Sequence, residues 1–186
     1  INQFVDPDSG LPPISTPYTA ATLPSLSDAT SANIYIPGTV LWCNNCNVNG
    51  RPGAYIHVSA VTPATWVDAN DAPVTSGPYS LATLPTKGVL DGARVYCFDC
   101  TYGGDTGVRV TYDATASIWR DQGRMPAQKN PYKLADLEAL PSTSVINGSV
   151  TYCVDCTYLG VTGVFAHYST AINGWLDPSQ LPISTT

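Results

Sequence analysis

"GARVYCFDCTYGGDTGVRVTY", from Gly92 to Tyr112, is the stretch of sequence that decides the fold. Its two halves, "GARVYC" and "GVRVTY", alternate polar and apolar residues and are rich in Val and Tyr, which is typical of half-buried β-strands. A C-x-x-C motif, Cys97 with Cys100, follows the first of these strands. Such a motif is compatible with a redox dithiol, half of a zinc site or a local disulfide, and the rest of the chain helps to discriminate among them.

The same pattern occurs three times in the chain. In every copy a Gly lies five residues before the first Cys, a second Gly lies seven residues after the second Cys, and a Trp follows. Successive Cys pairs begin 54 and 56 residues apart. This regularity predicts a tandem array of three repeats. The repeated positions are the pairs Cys43 and Cys46, Cys97 and Cys100, Cys153 and Cys156, and the tryptophans Trp66, Trp119 and Trp175.

Short motifs between the Cys pairs mark the repeat boundaries. A Pro-Tyr pair opens each repeat and a Leu-Pro pair follows it. We therefore divide the chain into an N-terminal segment equivalent to the end of a repeat, residues 1–16, and three β-repeats, residues 17–77, 78–130 and 131–186. The sequence predicts an all-β fold of three tandem small antiparallel β-modules, of about 55 residues each, joined by Pro-rich extended linkers.

One segment has helical composition. "YKLADLEAL", Tyr132–Leu140, contains good helix formers, and Pro141 ends it after about two and a half turns. We expect any helix in the chain to be short.

The two ends of the chain resemble each other. "FVDPDSGLPPIST" at Phe4–Thr16 resembles "WLDPSQLPISTT" at Trp175–Thr186, and the chain begins with Ile, so we interpret it as a processed product or an excerpt. A leftover repeat end is expected for a head-to-tail array, a strand-swapped assembly or a cut from a longer array. We predict that the apolar residues of this segment serve in assembly; they are Phe4, Val5, Leu11 and Ile14.

The setting of the Cys pairs favours disulfides. Catalytic dithiols lie at helix N-termini, whereas these pairs follow strands, and the nearby Asp99 or Asp155 opposes thiolate formation. Zinc sites combine two knuckles, and three identical knuckles leave one unmatched. A disulfide within each pair closes a small loop and stabilises by at most about 2 kcal/mol. Zinc and redox chemistry remain alternatives, and we predict no cofactor and no resident metal.

The other repeated polar and aromatic residues have structural interpretations. Trp66, Trp119 and Trp175 are expected to anchor small cores, with sugar stacking as the alternative. Four Asp residues that follow a strand are expected to form Asx turns: Asp6, Asp68, Asp121 and Asp177. His57 and His167 are interpreted as polar residues on a strand face. The sequence contains no recognisable catalytic constellation, so we do not expect an enzyme.

Composition narrows the function classes. Only 12% of residues are charged, and eight Lys plus Arg stand against fourteen Asp plus Glu, for a net charge of −6. This balance disfavours binding to nucleic acid or to anionic lipid. No apolar stretch reaches the ~20 residues of a membrane span. Six Cys and a surface rich in hydroxyl groups favour an oxidising or extracellular setting.

The repeat also resembles a known kind of module. "LPTKGVLDGARVYCFDC" and "LPSTSVINGSVTYCVDC" are similar to modules of tailed-phage tail fibre and virion surface proteins, in which a Leu-Pro linker precedes a Gly-x-x-x-Tyr strand. The first repeat, "LWCNNCNVNG", departs from the pattern at Trp42 and Asn45. The resemblance implies a structural or adhesive role on a particle surface and carries no catalytic residues.

The expected function is therefore that of a structural protein on a phage virion surface: a fibre, spike or capsid decoration protein. Its expected partners are copies of itself or other virion proteins, with host surface glycans as a further option, and its expected location is the virion surface or the extracellular space. One alternative is a subunit of an extracellular filament that polymerises by donating its N-terminal strand. A second alternative is a carbohydrate-binding adhesion module, and a third is a thiol enzyme.

Overall fold

The computed structural model describes residues 17–26, 35–60 and 64–185 of the chain. These residues form three separate three-stranded antiparallel sheets in tandem, which confirms the predicted all-β class. The strands are β1 (Val40–Val48), β2 (Arg51–Val58), β3 (Trp66–Val67), β4 (Arg94–Tyr102), β5 (Asp105–Asp113), β6 (Ile118–Arg120), β7 (Val150–Tyr158), β8 (Val161–Ser169) and β9 (Gly174–Leu176).

Each sheet is a long hairpin with a short third strand. The strand orders are β1-β2-β3, β4-β5-β6 and β7-β8-β9, so one sheet lies within each of the three ranges assigned to the repeats. A two-residue turn joins the long strands, and both of its residues have positive φ: 53° and 82° at Asn49 and Gly50, for example. These values define a type I′ turn, whose twist matches that of the strands.

The C-x-x-C motif forms a bulge in the first long strand. Cys43 pairs with Ala54 and Asn47 pairs with Pro52, so the three residues between the two pairs face Gly53 alone. The third sheet repeats this register around Gly163. The φ angles of these two glycines are +87° and +85°, which L side chains rarely adopt. The constant seven-residue spacing from Cys to Gly therefore reflects a conserved bulge geometry within the chain.

A short helical turn precedes the second and third hairpins. It is a 3₁₀ turn at Leu81–Thr83 and an α-helix, α1, at Leu134–Ala139. The helix falls within the segment that composition predicted. Its C-cap residue, Leu140, is extended at φ −67° and ψ 130°, as expected of a residue that precedes a proline.

The buried face of each hairpin forms a small core that includes the disulfide. In the first repeat the core residues are Leu41, Cys43, Cys46, Ile56, Val58 and Trp66. All six Cys are completely buried. The described part of the chain contains no helix long and apolar enough to cross a membrane.

The chain divides into two compact units. Among the described residues, unit 1 extends to Tyr79 and also includes Pro85–Tyr96, and unit 2 consists of Ser80–Leu84 and the residues from Cys97 onward. Because this division passes through the middle repeat, each unit contains contacts between one terminal repeat and part of the middle repeat.

Candidate functional site

A disulfide joins the two Cys of each pair, as the sequence predicts. The Cα–Cα distance is 5.4 Å in all three: Cys43–Cys46, Cys97–Cys100 and Cys153–Cys156. A disulfide-bonded sulfur offers no thiolate for nucleophilic attack or zinc binding. Because the bonds lie in the cores, we interpret them as structural.

The residue before the second Cys of each pair accepts a hydrogen bond from the turn that precedes the hairpin. The backbone N–H donors and side-chain Oδ1 acceptors are Leu81 to Asp99 (2.6 Å), Leu134 to Asp155 (2.8 Å) and Ala20 to Asn45 (2.7 Å). Helix N-termini have unpaired N–H groups, and Asp99 and Asp155 satisfy one of them at the 3₁₀ turn and at α1. Asn45 plays the same part at the non-helical turn that contains Ala20. Sequence reasoning considered only the effect of the Asp on thiol chemistry and missed this cap.

The carboxylate of Asp99 is doubly engaged. The Leu81 N–H and the Lys129 ammonium, whose Nζ lies 2.9 Å from Oδ2, hold the pKa of Asp99 below its ordinary value. Asp99 lies close to the sulfurs of Cys97 and Cys100, in a group that could offer three metal ligands. The disulfide and the two partners of Asp99 already occupy these atoms, so we interpret the group as a structural cluster.

The predicted Asx turns are confirmed at the three described positions, and Asp6 lies outside the described residues. Oδ1 of Asp68 and Asp177 accepts the N–H of the residue two positions later, at 2.7 and 2.8 Å, and Asp121 accepts the Gly123 N–H. Oδ1 of each Asp also accepts the N–H of the residue four positions later, at 3.1, 2.9 and 3.0 Å. Burial raises the pKa of Asp68, and it raises the pKa of Asp121 to about 7. Each carboxylate organises its own loop, here called the Asx loop.

The three Trp residues of the repeat lie in the cores. Trp66, Trp119 and Trp175 are 6%, 6% and 7% exposed. The indole N–H of Trp66 donates to the Pro24 carbonyl at 2.9 Å, and that of Trp175 donates to the Leu137 carbonyl at 3.1 Å. A sugar cannot stack on a covered ring, so this burial corrects the stacking role suggested for these three residues and favours the core-anchor interpretation.

The two His side chains contact the Asx loops. Nε2 of His57 lies 3.5 Å from a carboxylate oxygen of Asp71, and Nε2 of His167 lies 3.2 Å from Oε1 of Gln180. Each His is thus a polar residue on a strand face, as predicted.

An open groove lies beside α1 in unit 2. Its titratable side chains are Glu138 and Tyr168, and the Tyr168 hydroxyl donates to Asn173. The rest of its lining is mainly apolar and includes Leu140, Ile172 and Ile183. This groove therefore offers no acid–base pair.

In unit 1, the first repeat contacts the first strand of the second repeat at two places. The hairpin tip approaches an aromatic ring, since a Cβ placed on Gly50 would lie 3.6 Å from Cδ1 of Tyr96. The Asx loop meets the start of β4, where the Arg94 N–H donates to the Asn70 carbonyl at 3.1 Å.

In unit 2, the second repeat contacts the third through the equivalent positions. A Cβ on Gly103 would lie 3.5 Å from Phe165, and one on Gly104 would lie 4.0 Å from Tyr152. The Val150 N–H donates to the Gly123 carbonyl at 2.7 Å, as the Arg94 N–H does to Asn70 in unit 1. One mode of contact between successive repeats therefore occurs twice in the chain.

Two further side chains strengthen the contact in unit 2. Met125, in the Asx loop of the second repeat, is completely buried in the core of the third, in a cluster with Tyr132, Leu137 and Val145. The buried Arg120 guanidinium donates to the Ser144 carbonyl at 2.7 Å. The Asx loop thus contributes a core residue to the following repeat.

The terminal repeats expose the positions that make these contacts elsewhere. In the third repeat, Leu159 at the hairpin tip is 84% exposed and Leu181, which matches Met125, is 61% exposed. We call Leu159, Gly160 and Leu181 the donor face. In the first repeat, Trp42 and Tyr55 are 42% and 69% exposed, whereas Phe165, which a hairpin tip contacts, is 46% exposed. We call Trp42 and Tyr55 the acceptor face.

Trp42 and Tyr55 match Tyr152 and Phe165, which receive a hairpin tip in unit 2. Their rings meet edge to face with centroids 5.0 Å apart. The predicted assembly residues, Phe4, Val5, Leu11 and Ile14, lie outside the described residues.

Comparison of the chain with protein-family models, curated proteins and solved structures produced no match.

Proposed function

We propose that this chain is a structural building block of an extracellular assembly, and that the assembly is the surface of a phage virion. The observation that carries the proposal is the contact between successive repeats, made twice through equivalent positions. A contact that is repeated within one chain is the basis of architectural arrays, in which each repeat stabilises its neighbour.

The chemistry of the repeats supports a structural role. Every buried side-chain nitrogen or oxygen of the described residues has a hydrogen-bond partner. The Asp side chains that sequence analysis singled out cap turns or close loops, and the Cys are paired as disulfides. Side chains engaged in this way rigidify a fold, as a structural building block requires.

The virion surface is the first candidate because of the resemblance in the sequence. The strand that ends in Tyr-Cys-x-Asp-Cys, the small-residue turn and the final Trp resemble phage fibre and virion surface modules. Fully buried disulfides suit a protein that functions outside the cell. The chain would then serve as a fibre, spike or capsid decoration protein.

Immunogold electron microscopy tests this assignment. Antibodies raised against the purified chain are expected to label intact particles in a density-purified virion fraction from the producing culture. Pre-incubation of the antibody with the purified chain is the control and should abolish labelling. Particles that stay unlabelled, while the chain is found in another fraction, would contradict the virion assignment.

An extracellular filament is the second candidate, and the exposed donor and acceptor faces favour it. The two faces match positions that are in contact within the chain, so they are suited to joining one subunit to the next. Negative-stain electron microscopy of the concentrated chain distinguishes the candidates: a filament subunit forms fibres alone, whereas a decoration protein requires its particle.

A further inference from the structure

We propose that the donor face of one copy binds the acceptor face of a second copy and reproduces between chains the contact that joins successive repeats within the chain. The inference deepens the proposed structural function and rests on it. The partner is a second copy of this chain, and the interface is heterologous, which produces an open filament unless its rotation closes a ring.

Equivalent positions define the donor face. The hairpin tips of the first two repeats pack near aromatic rings, at Gly50 and at Gly103 and Gly104. A Cβ on Gly160, at the tip of the third repeat, would have nothing within 4 Å among the described residues. The same contrast separates Met125, which is fully buried in the next core, from Leu181, which is 61% exposed.

Leu159 is an unusual residue for its position. Its φ is 51°, in the left-handed region, where the matching residues are Asn49 and Gly103. Asn and Gly adopt this conformation readily, whereas a bulky apolar side chain there is uncommon. Leu159 is also 84% exposed, so its side chain is available to a partner. Packing against a partner would offset the conformational cost.

The acceptor face has the chemistry that this tip requires. Within unit 2 the second hairpin tip lies against Tyr152 and Phe165, which form an edge-to-face pair with centroids 5.4 Å apart. Trp42 and Tyr55 form the same kind of pair at the same register positions, opposite each other on β1 and β2. An aliphatic side chain on exposed aromatic rings removes apolar surface of both partners from water.

Backbone positions also continue the repeat contact. The Asn70 carbonyl accepts the Arg94 N–H, and the Gly123 carbonyl accepts the Val150 N–H. In the third and first repeats the matching positions are Ser179, in the Asx loop, and Val40, at the start of β1. In the proposed contact the Ser179 carbonyl of one copy would meet the Val40 N–H of another.

The test measures self-association of the full chain by sedimentation velocity over a range of concentrations. The donor variant carries Leu159→Asn and Leu181→Ser, and the acceptor variant carries Tyr55→Glu. Each is expected to raise the dissociation constant about tenfold or more, as loss of a central apolar contact does. Phe98→Ser is the matched control, because Phe98 is 49% exposed and belongs to neither face.

Leu159→Asn alone separates assembly from folding. Asn is favoured at positive φ, so this variant is expected to melt at the same or a higher temperature than the wild type while associating more weakly. A lower melting temperature together with unchanged association would mean that Leu159 serves the fold, and the inference would be wrong.

Mixing the two blocked variants tests the heterologous geometry. The donor variant keeps its acceptor face and the acceptor variant keeps its donor face, so the mixture is expected to form 1:1 dimers that grow no further. If the acceptor variant still dimerises alone through its donor face, the contact is isologous and the inference is overturned.

Other occupants of the acceptor face give different results. If deletion of residues 1–16 abolishes association while the donor variant still associates, the N-terminal segment covers the face. If Tyr55→Glu abolishes binding on a glycan array without changing association, a sugar is the partner. A wild-type chain that remains monomeric at about 1 mM also overturns the inference.

These outcomes are independent of the test of the proposed function. If the antibody labels particles while the donor variant assembles normally, the proposed structural function is supported and the proposed contact between copies is wrong. If particles stay unlabelled and the wild-type chain is monomeric, both proposals are wrong.

Discussion

The side-chain cap on α1 leads to a quantitative prediction. Oδ1 of Asp155, in the Cys153–Cys156 loop, accepts the Leu134 N–H at 2.8 Å, although 21 residues separate the two in sequence. Asp155→Ala removes this acceptor, so the Leu134 N–H in the first turn of α1 loses its hydrogen bond to the side chain. Asp155→Asn keeps an oxygen in place, and the first repeat already uses Asn45 in this way, at 2.7 Å from the Ala20 nitrogen.

The expected loss for Asp155→Ala is about 1 kcal/mol, the usual cost of removing an N-terminal cap. Its effect extends beyond α1, because the helix buries Leu137 and the Leu137 carbonyl accepts the Trp175 indole N–H. Asp155→Asn is expected to cost less than about 0.5 kcal/mol, the value of a lost charge near a helix N-terminus. The two variants therefore separate the hydrogen bond from the charge.

Thermal unfolding followed by circular dichroism measures both variants. For a chain of this size, 1 kcal/mol corresponds to a shift in melting temperature of about 2–4 °C. Glu138→Ala is the matched control, since it removes an exposed acidic side chain from the same helix without removing a cap. An Asp155→Asn variant as unstable as Asp155→Ala, or an Asp155→Ala variant that melts like the wild type, would refute the capping role.

Three further predictions follow from the loops and bonds of the repeats. Gly123→Ala is expected to destabilise unit 2, because a Cβ there would overlap the Val150 carbonyl, and hydrogen exchange should show lost protection of the Val150 amide. Burial raises the pKa of Asp121 to about 7 in the folded chain, so between about pH 4 and pH 7 the folded state holds a proton that the unfolded state has lost. The contribution of this proton to the free energy of unfolding is full below about pH 4 and is lost as the pH rises through 7. Asp121→Asn should flatten that part of the stability–pH curve in urea titrations. Reductant is expected to lower the melting temperature by removing up to about 2 kcal/mol per disulfide, and intact mass without reductant should be lower by two hydrogens per bond; free thiols in the untreated chain would contradict the disulfide assignment.

Much of the fold could be predicted from local patterns. Alternating residues predicted the long strands, and the helix observed at Leu134–Ala139 lies in Tyr132–Leu140, the one segment with helical composition. The Asx turns were predictable because Asp binds backbone N–H groups only a few residues away. These features depend on interactions within one short segment, which a single sequence displays directly.

The residues of the candidate site could not be predicted in this way, because their roles depend on contacts between residues that are far apart in sequence. Trp66 could have been an exposed ring or a core anchor, and its burial together with its hydrogen bond to Pro24, 42 residues earlier, distinguishes the two. The exposure of Leu159 and the burial of Met125 likewise depend on whether another repeat lies against them. Sequence reasoning placed assembly in residues 1–16, which lie outside the described residues, so that prediction stands beside the proposed contact between the donor and acceptor faces.

The amino-acid sequence by itself determined the number of repeats and their strands, because these follow from periodicity and from spacings of a few residues. It favoured disulfides at the Cys pairs, and the structure decided between disulfides and zinc. The tertiary structure alone decided which side of one repeat meets the next and which of the matching positions are exposed among the described residues. The physical reason is that equivalent residues in three similar repeats have the same local preferences. Their neighbours in space differ. A Cβ on Gly50 would contact Tyr96, whereas a Cβ on Gly160 would have nothing within 4 Å among the described residues.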